Sequence, residues 1–269
     1  CTSTNCGNTI DGGDTVTGLG NITTNLEPAL VIRGDRNQVI QTGNLVTSGN
    51  IFGIDVGGIV IGEFGGAESE LNQITVNGNI SVSGFQINGL YIPHSNRNQI
   101  TINGDITASG DNGSGFILEN SDGNTIQLNG AVNILGDQNS SFGGQIFSDS
   151  NNNTVNITDD FYNLYNMGLE TFVNNSGSIT GGFQNDGSIR TISNTGNIST
   201  LANGPNGSGQ IGIYNNEGIY NSNGGNIRSL YNWDRINVIE NSSIIGRYQN
   251  LAGSTLTFLR NFSGGQISN

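Results

Sequence analysis

The stretch that decides the fold is NQITINGDITASGDNGSGFILENSDG, residues 98–123. The line before it, NQITVNGNISVSGFQINGLYI at 72–92, and the line after it, NTIQLNGAVNILGDQNSSFGGQIF at 124–147, repeat its apolar positions while the polar letters drift. The lines align on their leading asparagines, Asn8, Asn37, Asn72, Asn98, Asn124 and Asn153, and their successive intervals are 29, 35, 26, 26 and 29. Each line opens with an alternating apolar pair (Ile74/Val76, Ile100/Ile102, Ile126/Leu128). A corner follows, then a second pair (Ile80/Val82, Ile106/Ala108, Val132/Ile134). A third short apolar segment closes the line, as in Leu90–Ile92, Phe116–Leu118 and Ile146–Phe147. Alternation with period two means short strands with one face buried. Gly, Asn and Asp at the breaks supply the positive φ that sharp corners need.

Three short strands per line, at nearly constant length, predict an all-β right-handed parallel β-helix with three-faced coils and essentially no helix. One coil cannot bury its apolar side alone, so each is stabilised by the coils above and below. About eleven coils at strand spacing make a rod on the order of 50 Å long. From about Phe172 the wording changes to NNSGSI, NDGSI, NTGNI and NSSII, with Ile189, Ile192, Ile198 and Leu201, then Ile227, Leu230, Ile236 and Ile239, in three-then-six spacing. This nine-residue unit reads as the same solenoid with a different cross-section. The expectation is therefore one domain over 1–269, with coils of period about 26–29 over 1–171 and shorter N-x-G-x-I units over 172–269. NGPNGSGQ at 203–210 is the expected protruding corner of the second half. Asparagines at equivalent corners read as a structural amide ladder rather than a ligand site.

Composition narrows the partners. The net charge is −13, carried against eight arginines and no lysine, and His94 is the single histidine. No basic patch is available to neutralise phosphates, so nucleic acid is not an expected partner. An anionic lipid surface would repel the chain, and no apolar run reaches the ~20 residues of a membrane span, so direct membrane insertion is not expected. Polarity this high could mean disorder, but only three prolines and a regular supply of Ile and Val argue otherwise. The chain opens at a cysteine, which reads as a removed leader or an excised piece. Cys1 and Cys6 are read as a small terminal disulfide of an oxidising compartment, with lipid attachment at Cys1 as the alternative.

The polar residues spell no catalytic set. Glycoside hydrolysis needs two carboxylates across the scissile bond. Asp159–Asp160 is the one adjacent Asp pair, and neighbours on a strand point to opposite faces. No Gly-x-Ser-x-Gly occurs, and GDNGSG at 110–115 reads as a turn. DGGD at 11–14 and SDSNNN at 148–153 could hold at most a weak ion, so no cofactor and no metal site is expected. The interval Asn37–Asn72 is nine residues longer than the 26-residue coil, and the excess is placed in GGIVIGEFGGAESEL at 57–71. Insertions in solenoids map to loops on one face, often the binding face, which makes Glu63, Phe64, Glu68 and Glu70 the candidate binding residues.

The Asn/Gly/Thr/Ser-rich coils, the absence of lysine and the NNSGSI…NDGSI…NTGNI run resemble the passenger domain of a Gram-negative autotransporter. That resemblance spans the whole chain but rests on composition and carries no catalytic signature. It implies a bacterial cell-surface or secreted location and anchorage through a C-terminal outer-membrane barrel. It also implies a non-enzymatic role in autoaggregation and biofilm formation, with the chain itself as partner. The alternative within it is an adhesin for a host glycan or matrix protein, and the third reading is a polysaccharide-cleaving enzyme. Cys1 and Cys6 depart from the commonest cysteine-free pattern of such passengers.

Overall fold

The computed structural model describes residues 8–49, 57–62, 68–137, 141–204, 220–223, 226–233, 235–251 and 253–268. Twenty-nine strands and no helix are found among them. All strand pairings are parallel, and each joins residues one coil apart. The chain is a parallel β-solenoid.

Over the first half three ladders run along the rod. The first links β5 (Gln38–Gln41), β8 (Gln73–Val76), β11 (Gln99–Ile102), β14 (Thr125–Leu128) and β17 (Thr154–Ile157). The second links β6 (Leu45–Ser48), β9 (Ile80–Ser83), β12 (Ile106–Ala108) and β15 (Val132–Ile134). The third links β7 (Gly57–Ile61), β10 (Asn88–Pro93), β13 (Ser114–Glu119) and β16 (Phe142–Ile146). Register stacks like on like: Ile74, Ile100, Ile126 and Val155 form one apolar column, and Ile80, Ile106 and Val132 another, all buried. Where a column changes size, its neighbour compensates. Phe116 lies opposite Gly144, whose absent Cβ would sit 2.3 Å from the Phe116 ring, and Phe116 packs on Phe161 at 6.1 Å.

The second and third ladders merge on β18 (Asp160–Asn166), where Phe161 continues from Val132 and Leu164 from Gly144. From there as far as Asn226–Asn232 a coil has two strands rather than three, and its period falls to 18 or 19, as in Val155↔Val173↔Ile192, apart from the longer line of offset 29 between Asn203 and Asn232. The three-residue spacing of Ile198/Leu201 and Ile227/Leu230 marks one strand bending round a former corner. Its Ile continues the second ladder and its Leu the third. Two residues three apart on a straight strand would face opposite sides. Here both are buried, because the strand turns between them, with register shifts at Phe161/Asn163 and Ile179/Phe183. The three-faced description thus holds for the first half alone. Among the described residues the first ladder has eleven strands, against about eleven coils expected.

Asparagines bind the corners together. Asn37, Asn72, Asn98, Asn124 and Asn153 are fully buried. From Asn72 onward, each accepts, through Oδ1, both the backbone N–H and the side-chain amide of its predecessor at 2.8–3.3 Å, as Asn98 does from Asn72 and Asn124 does from Asn98. Asn8 is not in this stack; its place is taken by Asp14, whose N–H donates to Asn37 Oδ1. After Asn153 the ladder stops and two others replace it. Asn166, Asn185, Asn203, Asn232 and Asn250 continue the apolar column of Ile92, Leu118 and Ile146. Asn175 and Asn194 continue that of Val76, Ile102, Leu128 and Ile157. In these later stacks the amide also donates to the carbonyl two residues on, at Gly168, Gly187 and Gly196 for instance. That is the physical content of the N-x-G repeat. Its glycine is forced by contact: a Cβ on Gly196 would lie 2.0 Å from the Gly177 carbonyl oxygen.

Candidate functional site

The long line from Asn37 to Asn72 is built differently from the expectation of one insertion at 57–71. Gly57–Ile61 is a strand of the third ladder, buried throughout. Leu45 pairs with Ile80, 35 on in the chain, but Ile59 pairs with Leu90, 31 on, and Gln73 with Gln99, 26 on. The extra length is therefore split, part before β7 and part after it. Of the candidate binding residues, Glu63 and Phe64 lie outside the described residues, as do Cys1 and Cys6. Glu68 is exposed and receives Asn96 Nδ2 at 3.3 Å. Glu70 is pinned to both neighbouring coils: its N–H donates to Asp35 Oδ1 at 2.9 Å and its carboxylate pairs with Arg97. Ser69, between them, is buried, and its carbonyl receives Asn98 Nδ2. The segment 68–71 is a corner tied to the coils on either side.

The residues with chemical potential are dispersed. Asp159 and Asp160 are exposed at a corner, where Asp159 Oδ1 accepts the Asp160 N–H. Ser114 of GDNGSG is fully buried at the start of β13 and its N–H donates to Asn88 Oδ1. His94 sits in a left-handed corner against Asn120, with Nδ1 and Nδ2 2.6 Å apart. In SDSNNN, Ser150 and Asn153 are buried in ladders and Asp149 accepts the Asn120 N–H, so these groups are already engaged. No cluster of three His, Cys, Asp or Glu side chains gathers among the described residues. Among those same residues, Tyr165 has the most displaced pKa, pushed up to about 12 by burial and by its hydrogen bond and proximity to Asp186.

What the fold does assemble is a flat face. The outward side of the first ladder carries two rows parallel to the rod axis. One is Gln38, Gln73, Gln99, Thr125 and Thr154; the other is Ile40, Thr75, Thr101, Gln127, Asn156 and Asn174. None is ionisable, although the chain carries −13. The carboxylates stand at the corners instead, among them Asp105, Asp111, Asp122 and Asp137, each exposed. Corner Asp and Asn side chains accept the backbone N–H of the next coil, as Asp105 does from Ala131 and Asn79 from Asp105. This explains why the acids collect there rather than on the strands.

One edge of the face is unusual. The residue before each rung of the ladder is left-handed: Gly13, Arg36, Leu71, Arg97, Gly123, Asn152 and Glu170, with φ between 52 and 81°. Glycine is the natural occupant of that conformation, and Arg36, Leu71 and Arg97 hold it at a cost of about 1–2 kcal/mol each. Their side chains project beside the glutamine row and enclose a groove of about 310 Å³ with Gln38, Gln73 and Gln99. The signal was present in the sequence, as the letters R, L and R directly before Asn37, Asn72 and Asn98. No family model, curated protein or solved structure matches this chain.

Proposed function

We propose that this chain is a non-enzymatic rod of the bacterial cell surface, of the autotransporter passenger type, that joins cells by binding further copies of itself. The observation that carries this reading is the uncharged outward face of the first ladder between Gln38 and Asn174, in a chain of net charge −13. Two like-charged rods repel, and they approach at least cost through a surface that bears no carboxylate. Six strands from β5 to β19 (Thr171–Asn175) offer a patch on the order of 400 Å² per copy, from rung spacing and residue rise. That is about half of what a standard stable interface buries on each partner. A single contact is therefore weak, and firm adhesion comes from many rods acting together.

Cells displaying the chain are expected to clump, more strongly as salt screens the corner carboxylates. Thr101→Glu places a charge at the centre of the face on both partners and is expected to disperse the cells at low salt. Ser81→Glu, on the second ladder, is expected to leave clumping intact. Clumping that survives Thr101→Glu in a folded protein would overturn the assignment of the face. Dispersion of the unmodified cells at every ionic strength would overturn self-association itself.

A further inference from the structure

We infer that the groove along the Arg36–Leu71–Arg97 edge binds a linear acidic polysaccharide with one carboxylate for every two sugars. This goes beyond self-association and does not depend on it, since one rod carries the whole groove. Arg36 and Arg97 occupy equivalent corners two coils apart, so their guanidinium groups project at a separation of about 10 Å along the rod. Two sugars of an extended pyranose chain advance by a similar distance. A uronate carboxylate can therefore meet each arginine while the neutral sugar between them lies on Leu71, 40% exposed in the same row.

Each chemical requirement of such a ligand has its counterpart. Arg36 is exposed and makes no ion pair among the described residues, so its planar fork is open to a carboxylate. Arg97 spends one nitrogen, Nη2, on Glu70 and keeps 61% of its side chain exposed. Gln38, Gln73 and Gln99 form the opposite wall, and an amide that both donates and accepts suits sugar hydroxyls. The apolar C–H face of a pyranose suits Leu71, which would otherwise be an aliphatic side chain held exposed in a strained conformation. The acids of these corners are engaged: Glu70 with Arg97, Asp35 with the Glu70 N–H, and Asp122 with the Asn151 N–H.

The test is calorimetric titration of the full chain at low ionic strength with three probes. These are a hyaluronan octasaccharide, which alternates glucuronate with a neutral amino sugar, the same oligomer with its carboxyls reduced to alcohols, and an oligogalacturonate charged on every sugar. The alternating oligomer is expected to bind, more weakly as salt rises, and at least about tenfold tighter than its reduced form. The oligogalacturonate is expected to bind less well, because it would press a carboxylate onto Leu71. Arg36→Gly and Arg97→Gly relieve the left-handed strain, so they keep the fold. Each is expected to weaken binding about tenfold, while Arg247→Ala, far along the rod, changes nothing. Failure of the alternating oligomer to bind, equal binding of the reduced oligomer, or unchanged affinity in a folded double glycine variant would each overturn the site. Tighter binding of the oligogalacturonate would overturn the spacing argument.

Discussion

Replacing Asn98 by leucine tests whether the asparagine ladder holds the coils together or merely fills a corner. Leucine has the same number of heavy side-chain atoms, so the corner stays filled and no cavity complicates the result. Two buried groups lose their partners. The Asn72 N–H donates to Asn98 Oδ1 at 2.9 Å, and the Ser69 carbonyl receives Asn98 Nδ2 at 2.9 Å. The Asn72 amide also loses Asn98 Oδ1 but keeps the Gly34 carbonyl at 3.1 Å. A buried polar group left unsatisfied costs about 1–3 kcal/mol, so the two orphans together cost about 4 kcal/mol. That is a large part of the roughly 5–15 kcal/mol typical of a whole domain. Asn103 provides the contrast. It makes amide contacts of the same length, donating to Asn77 at 2.8 Å and accepting from Asn129 at 2.7 Å, but it is exposed. Water can replace those contacts, and Asn103→Leu is expected to cost about 0.5 kcal/mol or less. Urea unfolding followed by far-UV circular dichroism measures both. If Asn98→Leu stays within about 1 kcal/mol of the parent, or if the two variants fall together, the reasoning that burial makes this ladder structural is refuted.

Two further outcomes follow from the same geometry and a third from the sequence. Gly104→Ala is expected to cost several kcal/mol in thermal unfolding, because its Cβ would lie 2.4 Å from the Gly78 carbonyl oxygen. Gly20→Ala, with nothing within 4 Å, is expected to be near neutral, and equal effects would contradict the close stacking. For Tyr165, the folded protein holds the phenol proton up to about 12 against an ordinary 10.0. Its contribution to stability is complete below pH 10 and is lost as pH rises through 12, so the parent should lose stability over that window more than Tyr165→Phe, read from urea midpoints. Thiol titration of the native chain is expected to find no free thiol at Cys1 and Cys6, and two reactive thiols would remove the terminal bridge.

Much of the fold was legible because a parallel solenoid repeats its environment. Ile74, Ile100 and Ile126 stand one above another, so the same residue type is wanted at the same place in every coil, and the period is written in the chain. The nine-residue spacing of the second half was visible too, and two such units make one coil, as Val173↔Ile192 shows with its offset of 19. The sequence alone also determined that the corners needed Gly and Asn. Tertiary structure decided the rest. Alternation cannot say that a strand bends between Ile198 and Leu201, since the bend arises where two ladders of distant strands fuse. Nor can it say that Asn175 and Asn194 take over an apolar column, because an asparagine is admitted to a core position only when its neighbour one coil away supplies the answering amide. The uncharged face and the arginine edge depend in the same way on residues a full coil apart in the chain being brought within a strand spacing of each other, and only the register of the coils fixes which of them meet.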